Sequence, residues 1–294
     1  MTTPPRVALA TCTELREYDE DAAPLVSALA ERDIHAEMLA WDDPAAEWAS
    51  RDLVVIRSTW NYTTKHEEFV AWAQGMPRLL NSSDIVRWNT DKTYLDDLAA
   101  AGIPVVPTVF LRPGDTLEPP AAGDYVVKPA VGAGARDTAR YRAEEANAAT
   151  QHVARLHRAG STVMVQPYID AVDSSGESSL LYLGGTFSHS VRKGPLLCDG
   201  AEVDANGQPT IAAREPTADE LSLAEQALRA VPAGSEPLLY ARVDILPGAD
   251  GSPVLLELEL TEPHMYLSHS PGAVQRFAAA IAHAVGRTVP VARP

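Results

Sequence analysis

The segment LLELELTEP (255–263) alternates leucine with glutamate and constrains the chain more than any other stretch. In an extended strand, successive side chains point to opposite faces. Glu257 and Glu259 therefore share one face, and Leu256, Leu258 and Leu260 take the other. Upstream, YARVDIL (240–246) reads as a second strand, and the link from Pro247 to Pro253 carries the turn pair Asp250-Gly251. An antiparallel hairpin of the two sets Asp244 opposite Glu257, so three carboxylates meet on one face. Clustered carboxylates repel and raise one another's pKa. A divalent cation removes that penalty, and Mg²⁺ takes oxygen ligands, commonly a few carboxylates plus substrate phosphates. The alternative is the solvated face of an edge hairpin. The aliphatic runs around the acids favour a covered strand instead, which makes Asp244, Glu257 and Glu259 the candidate metal ligands.

The remaining pattern is mixed α and β. In the N-terminal third, Val7–Ala10, His35–Ala40 and Asp52–Arg57 read as strands, with a helix around Leu25 and Leu29; this βαβ rhythm predicts a small parallel sheet. A helix is predicted over Thr90–Ala101, ended by Gly102. Strands at Tyr125–Lys128 and Val163–Ile169 flank a helix over 143–159. Later, Ser178–Leu183 and Thr186–Val191 flank Gly184-Gly185, a hairpin signal. A helix near 217–231 opens on Thr217-x-x-Glu220, a capping-box spacing. The last helix is predicted to start at Ser270-Pro271, with Val274, Phe277, Ile281 and Val285 as its buried stripe.

With 294 residues the chain suits two or three packed lobes, and a net charge of −16 argues against nucleic acid as a partner. The opening MTTPPRVALATC reads as neither signal peptide nor membrane anchor, and no segment reaches transmembrane length. Two distant cysteines, Cys12 and Cys198, suit plain thiols of a cytoplasmic protein. RVALATC runs into Thr13-Glu14 without a glycine-rich turn, which argues against a dinucleotide-binding dehydrogenase.

The cations supply the second half of the pattern. Lys128 ends an apolar strand and is followed by a small-residue loop with Gly132 and Gly134, where backbone N–H groups can approach phosphate oxygens. Lys92 stands at a helix start. VMVQPYID (163–170) ends a strand at Gln166-Pro167, a connection able to offer backbone groups to an adenine edge. In SHSVRKGP (188–195), Arg192 is placed to neutralise a transferred phosphate and Lys193 to face a second anion. His189 reads as a half-buried strand histidine. Arg57-Ser58-Thr59-Trp60 follows a strand directly, where open α/β sheets bind ligands. Arg57 is thus a candidate carboxylate clamp with Ser58 beside it; Trp60 and Tyr62 either wall the pocket or, for Trp60, pack between domains.

Taken in order, these pieces resemble the ATP-grasp superfamily over about residues 85–285. The resemblance implies an α/β N-terminal substrate domain (1–89) and two α+β lobes, a central one (90–169) and a C-terminal one with the metal site (170–294), gripping ATP between them. It implies ATP and Mg²⁺ as cofactors. Lys92 and Lys128 then contact phosphates, with Gly132 and Gly134 beneath them. Gln166 and Ile169 hold adenine, Asp173 or Glu177 the ribose, and Arg192 and Lys128 act on the γ-phosphate. Asp244, Glu257 and Glu259 hold magnesium, Glu259 standing where many members carry Asn. DLVVIRSTWNY (52–62) with ELELTEP is similar to the D-cycloserine synthetase family of cyclo-ligases. That implies a small amino-acid-like substrate, O-ureido-D-serine, contacted by Arg57, Ser58, Trp60, Lys193 and Arg242. An intermolecular ligase of the glutathione-synthetase kind shares most of these residues. A nucleotide-binding regulator without turnover has no need of both lysines and all three acids.

Overall fold

The computed structural model describes residues 3–15, 19–198, 209–232 and 237–286. The first sheet is parallel, with β1 (Arg6–Thr11), β2 (His35–Ala40), β3 (Leu53–Ser58) and β4 (Leu79–Leu80) in the order β2-β1-β3-β4. β1 beyond Arg6 and all of β3 are buried, as continuous apolar runs require of a sheet covered on both faces. The helices α1 (Ala22–Ala30) and α2 (His66–Gln74) follow β1 and β3.

Two short helices, α3 (Ser83–Asn89) and α4 (Tyr94–Ala100), lead onward. The helix expected over Thr90–Ala101 thus begins at Tyr94, because Asp91 accepts from the Thr93 N–H at 3.0 Å and shapes a turn there. Gly102, at φ 84°, ends it as expected.

The second sheet is antiparallel, order β5-β8-β6-β7, from β5 (Val109–Leu111), β6 (Tyr125–Pro129), β7 (Ala139–Tyr141) and β8 (Val163–Pro167). α5 (Ala146–Arg158) covers it with Ala149, Val153 and Leu156. The third sheet follows the turn α6 (Ala171–Ser175). It holds β9 (Glu177–Leu183), β10 (Thr186–Lys193), β11 (Ile211–Arg214), β12 (Tyr240–Pro247) and β13 (Pro253–Glu259), in the antiparallel order β11-β10-β9-β12-β13.

α7 (Ala218–Ala230) has the expected capping box. The Glu220 N–H donates to Thr217 Oγ1 at 3.2 Å, and the Thr217 N–H donates to Glu220 Oε2 at 2.7 Å. The final helix α8 (Ala273–Gly286) starts later than Ser270-Pro271 suggests. Gly272, at φ 75°, turns the chain, and its carbonyl accepts the first helical bond from Arg276 at 3.0 Å. Phe277, Ile281 and Val285 are buried; Val274 is partly so. α8 packs on α1, joining the first and third sheets in one core through Leu25, Leu29, Leu181 and Phe277. Among the described residues no helix is long and apolar enough to cross a membrane.

Candidate active site

The β12–β13 register sets Asp244 opposite Glu257 and Arg242 opposite Glu259, as the alternation requires. Ligand oxygens of Asp244, Glu257 and Glu259 lie within 4.8 Å of one another. The pairing then shifts, with Ile245 opposite Leu255, so Leu256 is the extra residue of a β-bulge. This corrects its expected place on the far face: Leu256 lines the cleft. The cleft is a cavity of about 350 Å³ between the second and third sheets, with the loop after β3 at one end. An all-oxygen donor set of three carboxylates fits Mg²⁺.

Each of the three acids is held by cations. Lys128 Nζ stands 2.7 Å and Lys92 Nζ 4.0 Å from Glu257. Lys193 Nζ lies 3.1 Å and Arg242 Nη2 3.0 Å from Asp244, and Arg242 also pairs with Glu259. Burial pushes Glu257 up, but the two lysines outweigh it and hold the carboxyl at about 2. Burial likewise opposes Asp244, and Arg242 with Lys193 keeps it far below the usual range. Glu259 goes the other way: burial, with Asp244 and Glu257 beside it, raises it against the pull of Arg242. Lys193 also pairs with Glu177, whose carboxyl burial and Asp244 drive up.

The remaining nucleotide candidates gather here as well. Lys92 donates to the Gly132 carbonyl at 2.7 Å, tying the loop after β6 to the turn between α3 and α4. Gly132 and Gly134 line the cleft; a Cβ on Gly132 would come within 3.2 Å of Pro129, and Gly134 sits at φ 63°. Gln166 and Ile169 line the far end, where Gln166 Nε2 donates to Thr108 Oγ1 at 2.8 Å. Of the two acids weighed for ribose, Glu177 lines the cleft. Asp173 does not; it is engaged by Tyr168 and, at 3.4 Å, by Arg140.

Three further expected residues are placed elsewhere. Arg192 is not on the cleft wall: its guanidinium donates to the Ser175 and Ser174 carbonyls at 2.5 and 2.9 Å. Neighbours on a strand face opposite ways, and on β10 it is Lys193 that points at the acids. Arg57 is 2% exposed and enclosed by Asp19 at 3.5 Å and Asp21 at 3.6 Å, with its guanidinium over Phe277. Ser58 is fully buried, its hydroxyl donating to Thr11 Oγ1 at 2.9 Å. Neither residue is on the cleft wall. Trp60 satisfies both readings offered for it. It lines the cleft and also bridges to the third sheet, stacking on His264 at 4.3 Å and donating to the Glu262 carbonyl at 3.0 Å. His189 is buried, against the Met265 carbonyl at 2.9 Å.

Several cleft residues escaped the sequence reading. Glu262, His264 and Tyr266 follow β13 and line the cleft beside Tyr62. They lie past the last alternating residue, where periodicity carries no information; the one signal was a further acid in TEP directly after the paired glutamates. Burial and neighbouring Arg242 push the His264 imidazole down to about 4, so it is neutral at pH 7.

Residues 7–81 match the family described as the N-terminal domain of D-cycloserine synthetase DcsG. The cycloserine biosynthesis protein DcsG of Streptomyces lavendulae is 38% identical over 291 residues, covering 94% of this chain and 97% of that protein. A crystal structure of D-cycloserine synthetase DcsG aligns with TM-score 0.88 at 37% identity, over 95% of this chain and 99% of that one. D-alanine–D-alanine ligase from Bacillus anthracis, complexed with ATP, aligns at TM-score 0.69 and 15% identity over 97% of this chain and 98% of that one, which speaks to fold alone. The chain therefore belongs to the D-cycloserine synthetase family and has the ATP-grasp fold.

Proposed function

We propose that this chain is an ATP- and Mg²⁺-dependent carboxylate–amine ligase that closes O-ureido-D-serine to D-cycloserine through an acyl phosphate. The observation that carries the reading is the cluster of Asp244, Glu257 and Glu259 facing one cleft with Lys92, Lys128, Lys193 and Arg242. The family to which the chain belongs supplies the substrate.

In this reading residues 1–89 form the substrate domain, and 90–169 and 170–294 the two lobes that grip ATP. The connection from Gln166 to Ile169 holds adenine and Asp173 or Glu177 the ribose, of which Glu177 lines the cleft. Mg²⁺ on Asp244, Glu257 and Glu259 would draw charge from the phosphates. A carboxylate oxygen of the substrate attacks the γ-phosphorus and ADP leaves. Lys128 and Lys193 neutralise the transferring group, the role expected of Lys128 and Arg192. The substrate nitrogen bound to oxygen then attacks the acyl carbon and expels phosphate, with loss of its proton. The ring nitrogen of D-cycloserine carries hydrogen, so the carbamoyl group passes to water as carbamic acid. Walls formed by Trp60, Tyr62 and His264 limit water, which would otherwise hydrolyse the acyl phosphate. An enzyme consuming ATP and a free amino acid works in the cytoplasm.

The test is ADP release with O-ureido-D-serine and Mg²⁺, followed by product mass. The expected result is one ADP per cyclised product, with no second amine needed. ADP formed only with an added amine moves the function to an intermolecular ligase. Tight ATP binding without ADP from any amino acid contradicts a ligase and leaves a regulator.

A further inference from the structure

The acids of the cleft are not equivalent. Asp244, Glu257, Glu259 and Glu177 each form an ion pair with a lysine or arginine. Glu262 has none among the described residues. It is nevertheless 9% exposed and lines the cleft, with the hydroxyl of buried Tyr62 beside it as a hydrogen-bond partner. A buried carboxylate without a counter-charge is costly, and folds seldom keep one that nothing will meet.

Its position is also unusually well held. The Leu260 N–H donates to Asn89 at 2.7 Å, and the Leu260 carbonyl accepts from Asn81 at 2.6 Å. The Thr261 carbonyl accepts from Tyr240 at 2.7 Å, and the Glu262 carbonyl accepts from Trp60 at 3.0 Å. Four side chains from four separate segments thus pin three consecutive residues. That is the support a binding group needs to keep a fixed direction.

We propose that Glu262, oriented by Tyr62, binds the α-ammonium group of the amino-acid substrate. This deepens the function proposed above and rests on it. The substrate carboxylate must reach the Asp244–Glu257–Glu259 end, and the group nearest to that carboxylate in any α-amino acid is its ammonium. Glu262 lies three residues beyond Glu259, and both line the cleft. An ammonium brings the direct ion-pair partner that Glu262 lacks among the described residues; a neutral ureido N–H does not. Burial and neighbouring Glu259 raise this carboxyl to about 7, outweighing the pull of Lys92 and Arg242, which form no ion pair with it among the described residues.

The experiment compares O-ureido-D-serine with the same acid bearing hydrogen in place of the α-amine. Each is titrated calorimetrically into wild type, Glu262→Gln and Tyr62→Phe with Mg²⁺ and a non-hydrolysable ATP analogue. Wild type should prefer the amine by about 10- to 100-fold, the range of a charged hydrogen bond. In Glu262→Gln the preference should fall below about threefold, with affinity for the amine-free acid unchanged. In turnover, KM should rise far more than kcat falls. An intact preference in Glu262→Gln, or equal weakening of both acids, overturns the proposal. Should Glu262→Gln not fold, Tyr62→Phe decides: the preference should shrink by about three- to tenfold, and no change overturns the assignment. Wild type that releases ADP with the amino acid yet shows no amine preference overturns this proposal alone. Wild type that releases none with either acid overturns the function as well.

Discussion

Two clusters of opposite charges lie in this molecule, and they differ in where they point. At the end of β3, Arg57, Asp19 and Asp21 have side chains only 2%, 3% and 5% exposed, and they face one another. On the β12–β13 face, Lys128, Glu257, Lys193 and Glu259 remain 11%, 17%, 14% and 27% exposed, and they face a cleft. Both pair basic side chains with carboxylates. Among the described residues the ion pairs of the first cluster join only its own members. The second keeps its charges in reach of a ligand, which under the proposed function would let the cations turn to phosphates as the carboxylates take a metal. Enclosure, rather than charge or position at a strand end, separates a structural ion cluster from a chemical one.

The largest effect should come from the open cluster. Glu257→Gln removes a metal-ligand charge and leaves Lys128 and Lys92 without their partner. ADP release should fall by about 10³-fold or more, while the melting temperature stays close to wild type. Near-normal turnover would erase the distinction between the clusters.

The closed cluster should answer in stability. Arg57→Ala strands two buried carboxylates and should cost about 3–5 kcal/mol in denaturant unfolding. A variant of normal stability that has lost substrate binding would return Arg57 to the site from which the structure removes it.

On β10 the same comparison can be made between adjacent residues. Lys193→Met should lower kcat by about 10²-fold, since Lys193 faces Asp244 and Glu177. Arg192→Met, which removes bonds to the Ser174 and Ser175 carbonyls, should change kcat by less than about threefold. The reverse order would show that the strand turns in the working enzyme.

The smallest effect concerns pH. Burial pushes the Asp21 carboxyl up to about 6 against the pull of Arg57. Its stabilising contribution is complete below the ordinary value of 3.8 and is lost as pH rises through about 6, because the unfolded chain gives up this proton first. The loss is on the order of 2 kcal/mol. Melting curves between about pH 4 and 6 should be flatter for Asp21→Asn than for wild type; parallel curves would remove Asp21 as their cause.

These contrasts also mark what was legible in the sequence. Alternation in LLELEL fixes a face, and a short link fixes the hairpin, so the juxtaposition of Asp244, Glu257 and Glu259 followed from spacing alone. The bulge at Leu256 did not, since one extra residue leaves no mark in composition. Arg192 and Lys193 both suited an anion; only the pairing of β10 with β9 decides which faces inward. Arg57 was misplaced because the acids that enclose it are 38 and 36 residues away, and local pattern holds no trace of them. Glu262 and His264 owe their place to bonds from Trp60, Asn81, Asn89 and Tyr240, which are tertiary facts.

The central claim is that the open acid cluster holds the metal through which the nucleotide binds. The most direct measurement is calorimetric titration of a non-hydrolysable ATP analogue into wild type and Glu257→Gln, with and without Mg²⁺. The account predicts Mg²⁺-dependent binding to wild type, and at least about tenfold weaker binding to a variant that melts normally. Equal Mg²⁺-dependent affinity in the two proteins would contradict it.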